Sequence, residues 1–320
     1  MVDIDLLAFI CIKENNMTKE EMFNDIRKWK KEKNAIILAH YYQNDEIQEI
    51  ADYVGDSLAL AQAAAKTDAK IIVFCGVHFM AETAKILSPD KKVLFPVMEA
   101  GCSMANMINE IELAEYKAKN PDTTIMVYVN STAKVKALAD VCVTSSNALK
   151  IIDYYAKQNK KILYCPDQNL GKYAMKLHGY NFEVWHGFCC IHHNLKPEQV
   201  YKMKEQYPNA EFVAHPECQL PVLELADYVG STKQLIEYVT KSDKDEFIIG
   251  TEMGVIYEMK KRNPNKKFIP LSNTLKCFDM KLTHLTDLYE CLKDEKNEII
   301  MDSDVMKNAK KCLDKMLSLS

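Results

Sequence analysis

The sequence predicts an α/β chain in which one unit of small parallel sheet and helices occurs three times about a pseudo-threefold axis, with a site where the units meet. Two observations predict it. Short apolar runs alternate with helical patterns along nearly the whole chain, as strands joined by crossover helices do. In addition, ADYVGDS (51–57) returns almost verbatim as ADYVGST (226–232), and a looser copy, ADVCVTS, stands at 139–145. The copies begin 88 and 87 residues apart, so three units of nearly equal length tile the 320 residues.

The first unit, residues 1–115, carries the strands AIILAH (35–40) and IIVFC (71–75), with residues 1–16 standing apart as an extension. Leu6 to Ile12 is apolar, but Asp3 and Asp5 precede it and the run is too short and wrongly charged for a secretory signal. Met17 is a candidate start. The second unit, 116–206, carries TIMVYV (124–129) and ILYC (162–165). The third, 207–320, carries EFVAH (211–215) and FIIG (247–250), followed by a Lys-rich tail after Asp279 that reads as a surface helix.

Hydrophobic residues at 48% and charged residues at 27% describe an ordinary globular chain. No segment reaches the roughly 20 apolar residues that span a bilayer. A net charge of -4 without a basic face excludes a nucleic-acid track, so the expected partner is a small molecule and the expected compartment the cytoplasm. There the eleven cysteines are thiols rather than disulfide staples.

Three series of residues share the period. Seventeen residues before Ser57, Ser145 and Thr232 stand His40, Tyr128 and His215, each at a strand end. They open H-Y-Y, Y-V-N and H-P-E, which adds Tyr42, Asn130 and Glu217. At 45, 44 and 45 residues after the same Ser or Thr stand Cys102, Cys189 and Cys277. Reused turns explain the repeated Ala-Asp pair; they do not explain three cysteines in one register. Equivalent positions of three related units face a common point, and Cys190 and Cys218 have no such partners.

Three converging thiolates suit zinc or an iron-sulfur cluster, and the absence of a C-x-x-C pair in the triple favours the cluster. A three-cysteine zinc hydrolase and a non-catalytic iron-sulfur sensor or electron carrier are the rival readings. Ser57, Ser145 and Thr232 each precede a helical stretch and read as N-caps, whose converging N–H groups favour an anionic ligand. The strand-end groups lie where parallel sheets expose their functional edge. Glu217 beside a histidine or metal suits acid or base work. His192, three residues beyond Cys189, reads as a group behind that ligand, and His193 as facing solvent.

HYYQ (40–43), ADYVGDS, CGVHFMAETAKIL (75–87), GCSMA (101–105), YVN, PDQNLG (166–171), WHGFC (185–189), HPEC (215–218), GST, GTEMG (250–254) and CFDMK (277–281) together resemble the quinolinate synthase family, in the right order from residue 40 to residue 281. The resemblance implies three three-layer αβα domains about a pseudo-threefold axis with the active site at their common interface. It implies a condensing and dehydrating transferase of de novo NAD biosynthesis. That enzyme joins iminosuccinate, made by the transient partner L-aspartate oxidase, to dihydroxyacetone phosphate, giving quinolinate, phosphate and water. It implies one [4Fe-4S] cluster on Cys102, Cys189 and Cys277, whose open fourth iron takes substrate. The dicarboxylate-binding groups would be His40, Ser57, Tyr128, Asn130, Ser145, His215, Glu217 and Thr232. Tyr42, Glu217, His215 and Tyr128 would be the catalytic groups. Gln168 stands where many relatives carry a basic residue and Cys190-Ile191 replaces a more apolar pair, both away from the positions assigned.

Overall fold

A computed structural model describes residues 17–320; the expected extension of residues 1–16 lies outside them. Three four-stranded sheets are present, every strand pair parallel. The first holds β1 (Ala35–His40), β2 (Tyr53–Gly55), β3 (Ile71–Cys75) and β4 (Lys92–Leu94). The second holds β5 (Thr123–Tyr128), β6 (Val141–Val143), β7 (Lys161–Cys165) and β8 (Glu183–Val184). The third holds β9 (Glu211–Ala214), β10 (Tyr228–Val229), β11 (Glu246–Gly250) and β12 (Lys267–Pro270). In each the second strand forms one edge, followed by the first, third and fourth, so the expected α/β class and its threefold repetition are borne out. The inner strands are rich in Ile, Val and Phe and nearly fully buried, because helices cover both faces of each sheet.

The repeated heptapeptide is itself the edge strand β2, β6 or β10 and the turn that follows. These strands have two or three residues and, in the first and third units, a partly exposed face, too little apolar pattern to stand out in a sequence. The repeated Asp has the same task in all three copies. The Oδ2 atoms of Asp52, Asp140 and Asp227 accept the backbone N–H of Ile37, Ile125 and Phe212 at 2.8, 2.7 and 2.7 Å. Each ties an edge strand to the start of its neighbour, a charge-assisted bond and a structural role.

The last two helices leave the third sheet. Leu285–Asp294 packs on Lys19–Glu32 and β3, and Ser303–Leu319 packs on β6 and on the helices Ala133–Lys136 and His78–Leu87. The Lys-rich tail is therefore a surface helix on one side only: Ala309, Cys312, Leu313 and Met316 form a buried stripe at helical spacing. Among the described residues no helix is long and apolar enough to cross a membrane.

Candidate active site

A cavity of about 230 Å³ lies where the three sheets turn their C-terminal strand ends toward one another. Each residue expected at a site from the sequence lines it: Cys102, Cys189 and Cys277; Ser57, Ser145 and Thr232; and His40, Tyr42, Tyr128, Asn130, His215 and Glu217. Covalent spacing repeated in a repeated fold delivers equivalent atoms to one centre.

The histidines are set by a local turn. Nδ1 of His40 accepts the N–H of Tyr42 at 3.1 Å, and Nδ1 of His215 accepts the N–H of Glu217 at 3.3 Å. With Nδ1 an acceptor, the ring proton of each neutral imidazole sits on Nε2. Burial lowers both pKa values from 6.5 to about 3, so both rings are neutral at pH 7. This fixes a pH dependence. The unfolded chain takes up a proton on each histidine below pH 6.5, whereas the folded chain does not until about pH 3. Stability is therefore intact above the unfolded value and is lost as pH falls from there toward the folded one. At about pH 5 each histidine should cost ~2 kcal/mol. Urea melts of the chain at about pH 7.5 and about pH 5 should differ accordingly, and His215→Gln should flatten the dependence; equal midpoints at the two pH values would contradict the assignment.

Glu217 joins the sheets. Tyr128 Oη donates to its Oε1 at 2.6 Å, and His192 Nδ1 lies 2.9 Å from its Oε2. Burial acts to raise the carboxyl, but the adjacent His215 and His192 and the hydrogen bonds from His192 and Tyr128 outweigh it and bring its pKa below the ordinary range. An ionised carboxylate only accepts, so Nδ1 of His192 donates and its Nε2 accepts from Thr251 Oγ1 at 2.9 Å. Thr251 Oγ1 lies 2.9 Å from Tyr42 Oη, which lies 2.8 Å from Thr232 Oγ1. Five side chains from all three units thus form one hydrogen-bonded row from Glu217 to Thr232. Burial and the charge of Glu217 push both Tyr42 and Tyr128 well above the usual tyrosine range, which keeps them protonated. Lys281 Nζ, donating to the carbonyls of Tyr42 and Gln43 at 2.7 and 3.2 Å, holds the turn that carries Tyr42.

The expected N-caps are displaced by one or more residues. Asp56 and Ser231 cap the helices Ser57–Lys66 and Thr232–Lys241, and Asn147 precedes Ala148–Ala156 without a side-chain cap bond. Ser57 and Thr232 are instead the first helical residues and Ser145 lies in a turn, so all three hydroxyls are free of capping; Ser57 and Ser145 are available to the cavity, and Thr232 is engaged with Tyr42. The capping layer behind them closes the pseudo-threefold axis. Ser146 Oγ lies 2.5 Å from Asp56 Oδ2 and 2.8 Å from Ser231 Oγ. The carboxylate has no proton to give, so Ser231 donates to Ser146 and Ser146 to Asp56.

Of the ten described cysteines, six are buried; Cys102, Cys189, Cys190 and Cys277 are partly accessible, and these four line the cavity. Cys189 and Cys277 stand at the N-caps of short helices, and Cys102 just before a 3-10 turn. In each case the N–H three residues on, of Ala105, His192 or Met280, favours the thiolate. Burial acts the other way and dominates, pushing Cys102 up to about 11, Cys277 up to about 12 and Cys189 well above the thiol range, with Cys102 also raising Cys277 and both of these raising Cys189. Converging soft donors that repel one another as thiolates are what a bound cation relieves. The residues present fit a sulfur-held metal group. The donor atoms of Cys189, His192 and Glu217 also lie within 4.8 Å of one another.

Sequence reasoning missed Thr251, whose role depends on packing across units, and Lys136. Lys136 is fully buried and donates from Nζ to the carbonyls of Val129, at 2.7 Å, and Ser131, which fixes the turn bearing Asn130. Cys190 and Ile191, which follow the expected ligand Cys189 and have no role assigned from the sequence, line the cavity. His193, expected to face solvent, is half-buried with Nδ1 3.0 Å from Asn169 Nδ2.

Three copies of a parallel α/β unit that pool thiols, neutral histidines, tyrosines and a buried carboxylate around one cavity define an enzyme with a metal-binding site at its pseudo-threefold axis. Residues 24–318 match the family model described as quinolinate synthetase A protein. The chain is 51% identical over 304 residues to the quinolinate synthase of Alkaliphilus metalliredigens (strain QYMF), covering 95% of this chain and 100% of that one. It is 48% identical to the quinolinate synthase of Aquifex aeolicus (strain VF5), covering 96% and 98%, and 48% identical to that of Geobacter sp. (strain M21), covering 95% and 99%. The chain belongs to the quinolinate synthase family.

Proposed function

We propose that this chain is a cytoplasmic quinolinate synthase that condenses iminosuccinate, supplied by L-aspartate oxidase, with dihydroxyacetone phosphate, releasing phosphate and water. The observation that carries most weight is that three thiols, three hydroxyls and three strand-end clusters, each one register of the repeat, line the same cavity. The units providing them are residues 1–115, 116–206 and 207–320. Cys102, Cys189 and Cys277 would hold one [4Fe-4S] cluster. When bound, such a cluster supplies an iron with an open position, a Lewis acid for carboxylate or hydroxyl oxygens.

The remaining groups sort by chemistry. The hydroxyls of Ser57 and Ser145, the Nε2–H groups of His40 and His215, and Asn130 are donors suited to carboxylates, and Thr232, whose hydroxyl donates to Tyr42 Oη, lines the cavity at the end of the row. Phosphate loss, ring closure and dehydration each require proton movement, and the row Glu217, His192, Thr251, Tyr42 can hold a proton at either end. Tyr128 donates to Glu217 and orients it.

A single zinc ion at Cys189, His192 and Glu217 is a second reading, favoured by the compactness of that group. The distances argue against it. Ligands at about 2.0–2.3 Å from a tetrahedral zinc stand ~3.3–3.8 Å apart, whereas His192 Nδ1 is 2.9 Å from Glu217 Oε2, the spacing of a hydrogen bond. Cys102 and Cys277 also lie outside that compact group. Anaerobically purified chain should contain about four irons and about four sulfides and should form quinolinate from the two substrates. Zinc in place of iron would support the hydrolase reading, and an intact cluster without product the sensor or electron-carrier reading.

A further inference from the structure

Asp167 and Glu252 stand two residues beyond the ends of β7 and β11, fully buried, at the same place in the second and third units. Each divides its two oxygens in the same way. Asp167 Oδ1 accepts the N–H of Leu170 at 2.7 Å, capping the helix Gln168–His178, while Oδ2 accepts the N–H of Cys189 at 3.3 Å. Glu252 Oε2 accepts the N–H of Gly254 at 2.6 Å, while Oε1 accepts the N–H of Cys277 at 3.2 Å. Capping by itself does not call for a buried carboxylate, since Thr18 and Ser231 cap their helices with hydroxyls. Burying a carboxylate is unfavourable, and Lys281 Nζ, 3.6 Å from Glu252 Oε1, offsets this at only one of the two. In the first unit the matching position, two residues beyond β3, is Val77. Among the described residues no carboxylate holds the amide of Cys102.

The structure assigns to Asp167 and Glu252 a positioning role: each fixes the main chain, and through it the thiol direction, of one of the cysteines Cys189 and Cys277, leaving Cys102 set only by its own turn. The assignment rests on the three-thiol cluster proposed above. Two consequences follow from the chemistry. Loosening the amide of a ligand weakens its hold on metal, as partners behind metal ligands generally do. Exchanging a buried carboxyl group for an amide beside a cluster also changes the local field, so the reduction potential should shift.

The test uses the full chain, purified and reconstituted without oxygen, as wild type, Asp167→Asn and Glu252→Gln. Asp227→Asn is the control, because Asp227 makes the same kind of carboxylate bond to an amide at the start of β9, away from the cavity lining. Iron release to a chelator and the midpoint potential from a dye-mediated titration are measured, with melting temperature as a check on folding. Both isosteres are expected to load a cluster, release iron about tenfold faster than wild type and titrate at a potential different from wild type, with Asp227→Asn unchanged. If one isostere does not accumulate folded, the other decides, since the two contacts lie in different units. Loaded isosteres with wild-type release rates and potential overturn the assignment alone. A wild-type chain that binds neither iron nor sulfide overturns the cluster and this assignment with it.

Discussion

Replacing Cys189 by alanine should abolish quinolinate formation and remove the brown iron-sulfur chromophore together, and Cys102→Ala and Cys277→Ala should do the same. Each thiol comes from a different unit, so each is the one ligand that its unit contributes. The remaining pair cannot replace the lost bond without moving a sheet. Because ligand binding and proton release from raised thiols are coupled, losing one of three ligands removes far more affinity than a third. Cys190→Ala is the informative control. It neighbours Cys189, is partly accessible, lines the same cavity and has its Sγ 3.4 Å from Ser103 Oγ, yet it has no counterpart in the other units. Iron and sulfide analysis of the four variants should separate it cleanly from the other three. A full cluster in any one of Cys102→Ala, Cys189→Ala or Cys277→Ala would remove that residue from the ligand set.

Glu217→Gln should lower kcat by about 10²–10⁴ while leaving the cluster in place. The substitution preserves shape but puts an NH2 where the carboxylate now receives two donors, Tyr128 Oη and His192 Nδ1, so one bond must break. Reversing the hydrogen at His192 then reverses the direction of every bond along Thr251 and Tyr42. Tyr42→Phe interrupts the other end of the row, where Oη bridges Thr232 and Thr251. If the row works as a unit, the double variant should be little slower than the slower single one, because residues acting together are non-additive. Fully additive losses, measured anaerobically on cluster-loaded protein, would show that Tyr42 and Glu217 act independently.

The sequence by itself determined which residues share a register. The heptapeptide copies, the strand-end clusters and the three cysteines keep one period, and that period is enough to send Cys102, Cys189 and Cys277 to one centre. The inner strands were equally legible, β1 and β3 to the residue, because buried strands carry their own apolar pattern. The edge strands β2, β6 and β10 were not, since two or three residues are too few to carry one. Tertiary structure alone decided which hydroxyl caps and which faces the cavity: Asp56 and Ser231 took the caps and left Ser57 and Thr232 to the site. It also decided that His192 reaches Glu217 and Thr251, that Lys136 holds the turn of Asn130, and that Asp167 and Glu252 hold two of the three cysteine amides. The physical reason is that a repeat records only what the units have in common. Each of these contacts depends on side-chain direction and on packing particular to one unit or one boundary, and neither leaves a period in the chain.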